Sequence, residues 1–273
     1  MKKKFLMLMA LACMVCLTAA VMVGCSSGEE ASSEESNSFD GTLTVGFDQN
    51  FPPFGYVGDD GNYTGFDLDL AAEVCERKGW NIELSAIDWD SKDSLINSGT
   101  IDCIWNGFTM EGREGQYAFT APYYSNSQVV LVADNSGISS LDDLAGKKVL
   151  TQVNSAAYTL LSEGGDQAEL ASTFASLETI PDYNTAFMNL ESGAVDAIAL
   201  DLPVAQNLIA DKTGYTILDD QLSTESYAVA FKLGNEDLAS QVEETLREMY
   251  EDGTVEEIAS KYDAINMENW ILK

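Results

Sequence analysis

From Phe5 to Val23 the chain is apolar at every position except Thr18. That run is long enough to cross a bilayer and also has the shape of a secretory signal. Beyond residue 38 the apolar positions alternate between two periods instead. Leu43-Thr44-Val45 opens a strand, and Phe66 to Lys78 carries apolar residues at 66, 70, 71, 74 and 75, a helical stripe that stops at Gly79. Ile82 and Leu84 alternate as in a strand, Ser91 to Asn97 reads as a helix closed by Gly99, and Ile101 to Trp105 and Gln128 to Ala133 are strands. Then follow Lys148 to Gln152 (strand), Ser155 to Ser162 and Asn184 to Ser192 (helices), Ala197 to Leu200 (strand) and Pro203 to Ala210 (helix). Glu225 to Phe231 reads as one strand, Glu236 to Tyr250 as a helix, and Thr254-x-x-Glu257 as a capping box for a last helix ending near Tyr262.

Strands and helices in alternation predict an α/β protein with mostly parallel sheets, in which ligands sit beyond the carboxyl ends of strands. No GxGxxG or Walker A motif occurs, and Gly58-Asp59-Asp60-Gly61 reads as a β-turn. The acidic pairs at 59–60, 142–143 and 219–220 lack the spacing of a calcium loop and read as solvated faces.

Composition narrows the function. The chain has 273 residues, 45 Asp and Glu, 14 Lys and Arg, no histidine and a net charge of −31. The absence of histidine excludes a Ser-His-Asp triad, a Cys-His dyad and an imidazole metal site. The charge argues against nucleic acid as a partner. Lys2-Lys3-Lys4 precedes the apolar run, and Met22-Val23-Gly24-Cys25 at its end resembles the bacterial lipobox, with Met where Leu is preferred. The expected organisation is a lipoprotein signal over 1–24, lipidation at Cys25, and a Ser/Glu tether over 25–38; the alternative is an uncleaved anchor helix. Ser26 to Ser38 has six Ser and four Glu among 13 residues, a coil with a reach of roughly 20 Å. Either way the folded body lies outside the cytoplasm, held to the membrane. Cys75 and Cys103 lie in apolar patterns and read as a disulfide or as two core thiols.

Phe51-Pro-Pro-Phe54, Gly61-x-x-x-Gly65-Phe-Asp-Leu-Asp-Leu70, Asn106-Gly-Phe-Thr109, Arg113, Phe119-Thr-x-Pro-Tyr123 and Val195-Asp-Ala-Ile-Ala-Leu-Asp201 stand in order across residues 40–262. In these segments the chain resembles the extracellular solute-binding proteins of polar amino-acid ABC transporters, family 3. The resemblance implies a periplasmic-binding-protein-like fold: two α/β lobes, 40–132 plus 226–273 and 133–225, joined by two crossing hinge strands, with an L-amino acid in the cleft. It further implies a monomer that uses no cofactor or metal and delivers the ligand to the transmembrane subunits of an ABC permease.

A free amino acid is a zwitterion, so its site needs a cation and an anion. Arg113 matches the family residue that grips the α-carboxylate with a two-pronged guanidinium; its other reading is a surface arginine beside Glu111 or Glu114. Asp201 matches the residue that binds the α-ammonium and also stands where a helix N-cap would. Thr109 and Ser155 match donors to the carboxylate, Ser155 again doubling as an N-cap, with Asn154 where glycine is common. Gly107 matches a carbonyl acceptor for the ammonium, Phe51 the aromatic cover, and Asp48 a contact to a polar side chain; Phe108 and, less so, Trp89 are further wall candidates. No other Lys or Arg falls at a matched cleft position, so the expected ligand is a polar uncharged or sulfur-containing amino acid, basic ones second and acidic ones last. The alternatives are an enzyme on the same scaffold, a dehydratase or a peptidoglycan lyase, or a ligand-sensing lipoprotein. Without histidine, and with no glutamate in a recognisable catalytic motif, the enzyme lacks its acid or base.

Cys25→Ser should release the protein from the membrane fraction or leave an uncleaved precursor. Intact-mass analysis of the membrane-bound mature protein should find Cys25 carrying acyl groups, and an unmodified thiol there would refute the anchor.

Overall fold

The computed structural model describes residues 39–273; the expected signal, tether and Cys25 lie outside the described residues. The elements, in chain order, are β1 Thr42–Phe47, β2 Asn50–Phe51, β3 Gly55–Val57, β4 Tyr63–Thr64, α1 Phe66–Lys78, β5 Asn81–Ala86, α2 Lys92–Ser98, β6 Cys103–Ile104, β7 Tyr117–Phe119 and β8 Tyr124–Ala133. They continue with β9 Lys148–Gln152, α3 Ala156–Leu161, α4 Ala168–Ala171, β10 Ser176–Ile180, α5 Tyr183–Glu191, β11 Ala197–Asp201, α6 Leu202–Ile209 and β12 Tyr215–Ile217. The last are β13 Ser223–Tyr227, β14 Ala230–Lys232, α7 Glu236–Glu251 and α8 Thr254–Ala259.

Two sheets organise the body. One has the order β5-β1-β6-β14-β7, the other β10-β9-β11-β8-β12 with β13 also paired to β8. A small antiparallel meander, β2-β3-β4, forms a third sheet, with β3 and β4 against α1. The chain leaves the first sheet between Phe119 and Tyr124 and returns between Tyr227 and Ala230. These passages are zipped together: Tyr123 N–H donates to the Tyr227 carbonyl at 2.8 Å and Thr120 N–H to the Val229 carbonyl at 3.0 Å. The result is a two-lobed α/β fold with two crossing strands, β8 and β13.

Side-chain alternation explains why β8 reads as a continuous apolar run. Val129 and Leu131 enter the large core that spans the crossing, while Val130 and Val132 enter a separate core on the sheet's other face. β11 does the same with Ile198 and Leu200 against Ala197 and Ala199. On α1 the predicted stripe is buried and the helix ends at Gly79 in the left-handed conformation. Cys75 and Cys103 are free and buried, two core thiols rather than a disulfide.

Several expectations need correction. The sheets are mixed rather than mostly parallel, because β8, β13 and β14 pair antiparallel with their neighbours where the chain crosses between lobes. The single strand expected over Glu225 to Phe231 is two, in different sheets. Ala228 and Val229 turn away from β8, with Ala228 N–H donating to the Phe108 carbonyl at 3.0 Å and Val229 N–H to Thr120 Oγ1 at 3.0 Å. The capping box at Thr254 does not form: Gly253 is the N-cap, Thr254 Oγ1 donates to Asp252 at 2.6 Å, and α8 stops at Ala259. Ser176–Ile180, half polar and edge-lying, escaped the strand pattern.

On α7, Leu238, Ala239, Val242, Thr245, Leu246 and Met249 form the buried face. Leu246→Ala should cost about 2–5 kcal/mol in urea unfolding, the usual loss for a large-to-small change in a core. Met188→Ala, at a side chain 57% exposed, should change stability by no more than about 0.5 kcal/mol.

Candidate functional site at the strand crossing

Register brings the central residues together. On β8, Asn126 and Gln128 are two apart and share a face. Asp201, the last residue of β11, pairs with Gln128, and Glu225 on β13 pairs with Asn126. All four side chains therefore converge. Asn126 Nδ2 donates to Asp201 Oδ1 and to Glu225 Oε1, both at 2.8 Å. Gln128 Nε2 donates to the same two oxygens at 2.7 and 2.8 Å. Tyr227 O–H adds a third bond to Asp201 Oδ1 at 2.6 Å, and Thr109 O–H donates to Glu225 Oε1 at 2.9 Å. Among the described residues no cation lies within ion-pair distance of either carboxylate.

Arg113 enters from the loop after β6. Its guanidinium lies 4.4 Å over the Phe108 ring and donates one bond, at 2.8 Å, to the Thr109 carbonyl. The rest of the fork has no hydrogen-bond partner among the described residues. Burial lowers its pKa, against the attraction of Glu225 and Asp201. Burial, and then the neighbouring Glu225, raises Asp201 to about 7, and burial raises Glu225 as well.

A cleft of about 390 Å³ opens beside this cluster, lined by Thr109, Arg113, Tyr117 and Lys92 from the first lobe, by Asn154, Ala156 and Thr159 from the second, and by Glu225 at the crossing. Phe108 is the floor beneath Arg113 and wholly buried; Trp89 packs edge-on against it at 5.7 Å. The other expected residues lie where the lobes meet. Asp48 accepts from Gln152 of the second lobe at 2.6 Å, and burial raises its pKa to about 6. Phe51 faces Tyr183 at 6.1 Å and is nearly buried. Ser155 caps α3, accepting from Tyr158 N–H at 3.1 Å, after Asn154 with φ 52°.

Gly107 sits at φ +56°, and a Cβ there would come within 3.1 Å of both Phe51 and Tyr227. Glycine is therefore required, and its N–H donates to buried Asp67 at 2.6 Å.

Two sequence readings change. Asp201 does stand at the N-cap position of α6, but its side chain makes no capping bond and is committed to the carboxylate cluster. The ligand ranking drawn from the matched positions left out one cation: Lys92, outside those positions and buried at the start of α2, lines the cleft. Glu225, Asn126 and Gln128 were missed. The available signal was a polar stretch, Ser125 to Gln128, running directly into the apolar half of a strand.

A two-lobed scaffold with an acceptor cluster at its crossing and a half-free arginine beside it is that of a cleft-binding solute receptor. The family model for bacterial extracellular solute-binding proteins, family 3, matches residues 43–264, and the chain belongs to that family. It is 32% identical to the L-cystine-binding protein TcyJ of Escherichia coli K12 over 227 residues, covering 81% of this chain and 82% of the relative. An ABC uptake transporter substrate-binding protein from Streptococcus pneumoniae, solved with bound histidine, has a TM-score of 0.78 and 30% identity, covering 82% of this chain and 93% of that one. The ancestral amino-acid-binding protein AncCDT-1, a precursor of cyclohexadienyl dehydratase, has a TM-score of 0.73 and 29% identity, covering 81% and 95%.

A carboxyl whose folded pKa lies above its unfolded value binds extra protons in the native state, so stability falls as pH rises between the two values. For Asp201 that window runs from about 4 to about 7. Asp201→Asn should therefore leave the unfolding free energy of the ligand-free protein near wild type at pH 4 and raise it at pH 8, by an amount on the order of 1–4 kcal/mol. Calorimetric unfolding across this pH range checks it, and a variant destabilised at pH 8 would show the carboxylate to be stabilising when ionised.

Proposed function

We propose that this protein binds a free polar L-amino acid between its lobes and delivers it to an ABC permease. The carrying observation is the buried Asp201–Glu225 pair, without a cation at ion-pair distance among the described residues, close enough to the half-free Arg113 to attract its charge and reaching the same cleft through Glu225. An α-ammonium supplies the missing cation and an α-carboxylate completes the arginine fork. Thr109 positions both ends, since its carbonyl holds Arg113 and its hydroxyl holds Glu225. In this reading Ser155, Gly107, Phe51 and Asp48 line or support the closed state, and closure is favoured because the two halves of the clamp come from different parts of the chain.

The lobes are proposed as 40–132 plus 226–273 and 133–225. The relatives support the amino-acid class, and likeness to an L-cystine-binding protein supports the sulfur-containing branch. We further propose export as a lipoprotein anchored through Cys25, acting as a monomer. Among the described residues no helix is long and apolar enough to cross a membrane. A dehydratase or lyase activity is not favoured: the site's carboxylates are tied to amide and phenol donors, and the chain has no histidine.

Arg113→Ala should weaken every amino acid that binds by about 30- to 5000-fold, equivalent to roughly 2–5 kcal/mol for removing one partner of a buried charge pair. Arg113→Lys should recover only part of this, because a point charge cannot make the planar fork. Titration calorimetry over the twenty amino acids and L-cystine gives the readout; wild-type affinity in Arg113→Ala would place the ligand elsewhere.

A further inference from the structure

Lys92 is the first residue of α2, yet its side chain is only 4% exposed. It does not reach out to water, as lysines at helix starts commonly do. Its ammonium lies 5.3 Å from the Trp89 ring centroid, 3.4 Å from the Asn154 carbonyl and 4.0 Å from Asp93 Oδ2. The other oxygen of Asp93 is taken by the Tyr117 hydroxyl. Three N–H donors are thus served by one long bond and one distant carboxylate. Burial lowers the lysine to about 8, so it is still mostly charged at neutral pH.

Its place in the cleft is as telling as its poor pairing. Arg113 stacks on Phe108, Phe108 packs against Trp89, and Lys92 lies over Trp89. Two cations therefore stand along one aromatic floor, and the nearby charge of Arg113 adds to burial in lowering the lysine's pKa. Like charges set side by side in a cleft are relieved by anions between or beyond them. A neutral ligand side chain would leave the Lys92 donors without a partner when the cleft closes, which is costly. Asp93 and Asp166 line the same cleft and offer acceptors for a distal ammonium.

We propose that Lys92 grips a second carboxylate, at the far end of the ligand, so that the preferred substrates are doubly zwitterionic amino acids such as L-cystine. This deepens the amino-acid reading and rests on it. It departs from the expectation that no cation in the cleft serves a second carboxylate of the ligand.

The test compares L-cystine with the mixed disulfide of L-cysteine and cysteamine, which differ only in the distal carboxylate. Titration calorimetry on the wild type should show L-cystine binding at least about tenfold tighter, the worth of one charge-assisted contact. Lys92→Met should bring that ratio close to one, and Lys92→Arg should keep most of it. Melting curves confirm that each variant is folded, and the wild-type ratio decides the matter even where a variant is not. Equal binding of the two disulfides by the wild type, or an unchanged ratio in folded Lys92→Met, would overturn the proposal. Should neither disulfide nor any of the twenty amino acids bind, the amino-acid reading itself fails; binding of amino acids without the ratio sinks the Lys92 assignment alone.

Discussion

Two carboxylates share the same pair of amide donors at the strand crossing, and among the described residues no cation lies at ion-pair distance from them. Each bond to Asn126 and Gln128 is short, so Asp201 Oδ1 and Glu225 Oε1 lie no more than about 5.5 Å apart. At that spacing and depth the two cannot both be ionised cheaply. Much of the architecture serves to hold this arrangement. β8 supplies the amides from one face, β11 and β13 bring one acid each into register, and Tyr227 closes the far side. A folded protein that keeps such a pair sacrifices stability at neutral pH for a place where a cation is strongly preferred.

The same crossing connects the two lobes. Strands β8 and β13 run side by side between the sheets, so the acid pair sits where any hinge motion has its smallest lever arm. Contacts further out are of a different kind. Asp48 to Gln152, Asp90 to Asn154 and Lys92 to the Asn154 carbonyl each join first-lobe to second-lobe atoms; the first is buried, the second exposed, and the third a long 3.4 Å bond. In the proposed reading, a ligand that fills the charge clamp adds its differential free energy for the closed state to that of these few polar contacts.

Much of this was legible in the sequence. The 3.6-residue stripe of α1, the apolar run of β8 and the Val195–Asp201 segment carry the α/β alternation and place Asp201 at a strand end. Arg113, Thr109 and Asp201 could be named because their motifs stand in order. Glu225 could not, because a single acid in a strand pattern points in or out according to a register that only pairing with β8 fixes. Lys92 was hidden for another reason. A charged residue opening a helix reads as surface, and only the tertiary approach of Asn154 and the Trp89 ring turns it inward. The split of β13 from β14 likewise depends on the contacts of Ala228 and Val229 across the crossing rather than on their own apolar character.

A carboxyl raised to about 7 is also what a general base needs, so the site must be asked why it would bind rather than react. The answer lies in how Asp201 is held. One oxygen accepts from Asn126, Gln128 and Tyr227 together. Three donors on one oxygen favour the ionised form as soon as a cation offsets the burial cost, and they oppose the return of a proton to that atom. An ammonium bound there makes Asp201 a settled counter-ion, with its basicity lowered by the contact that brought the substrate in. Catalysis would require that basicity to persist next to the reacting carbon. In the proposed reading the cluster uses it instead to recognise the ligand's charge, as a receptor that releases its cargo unchanged would.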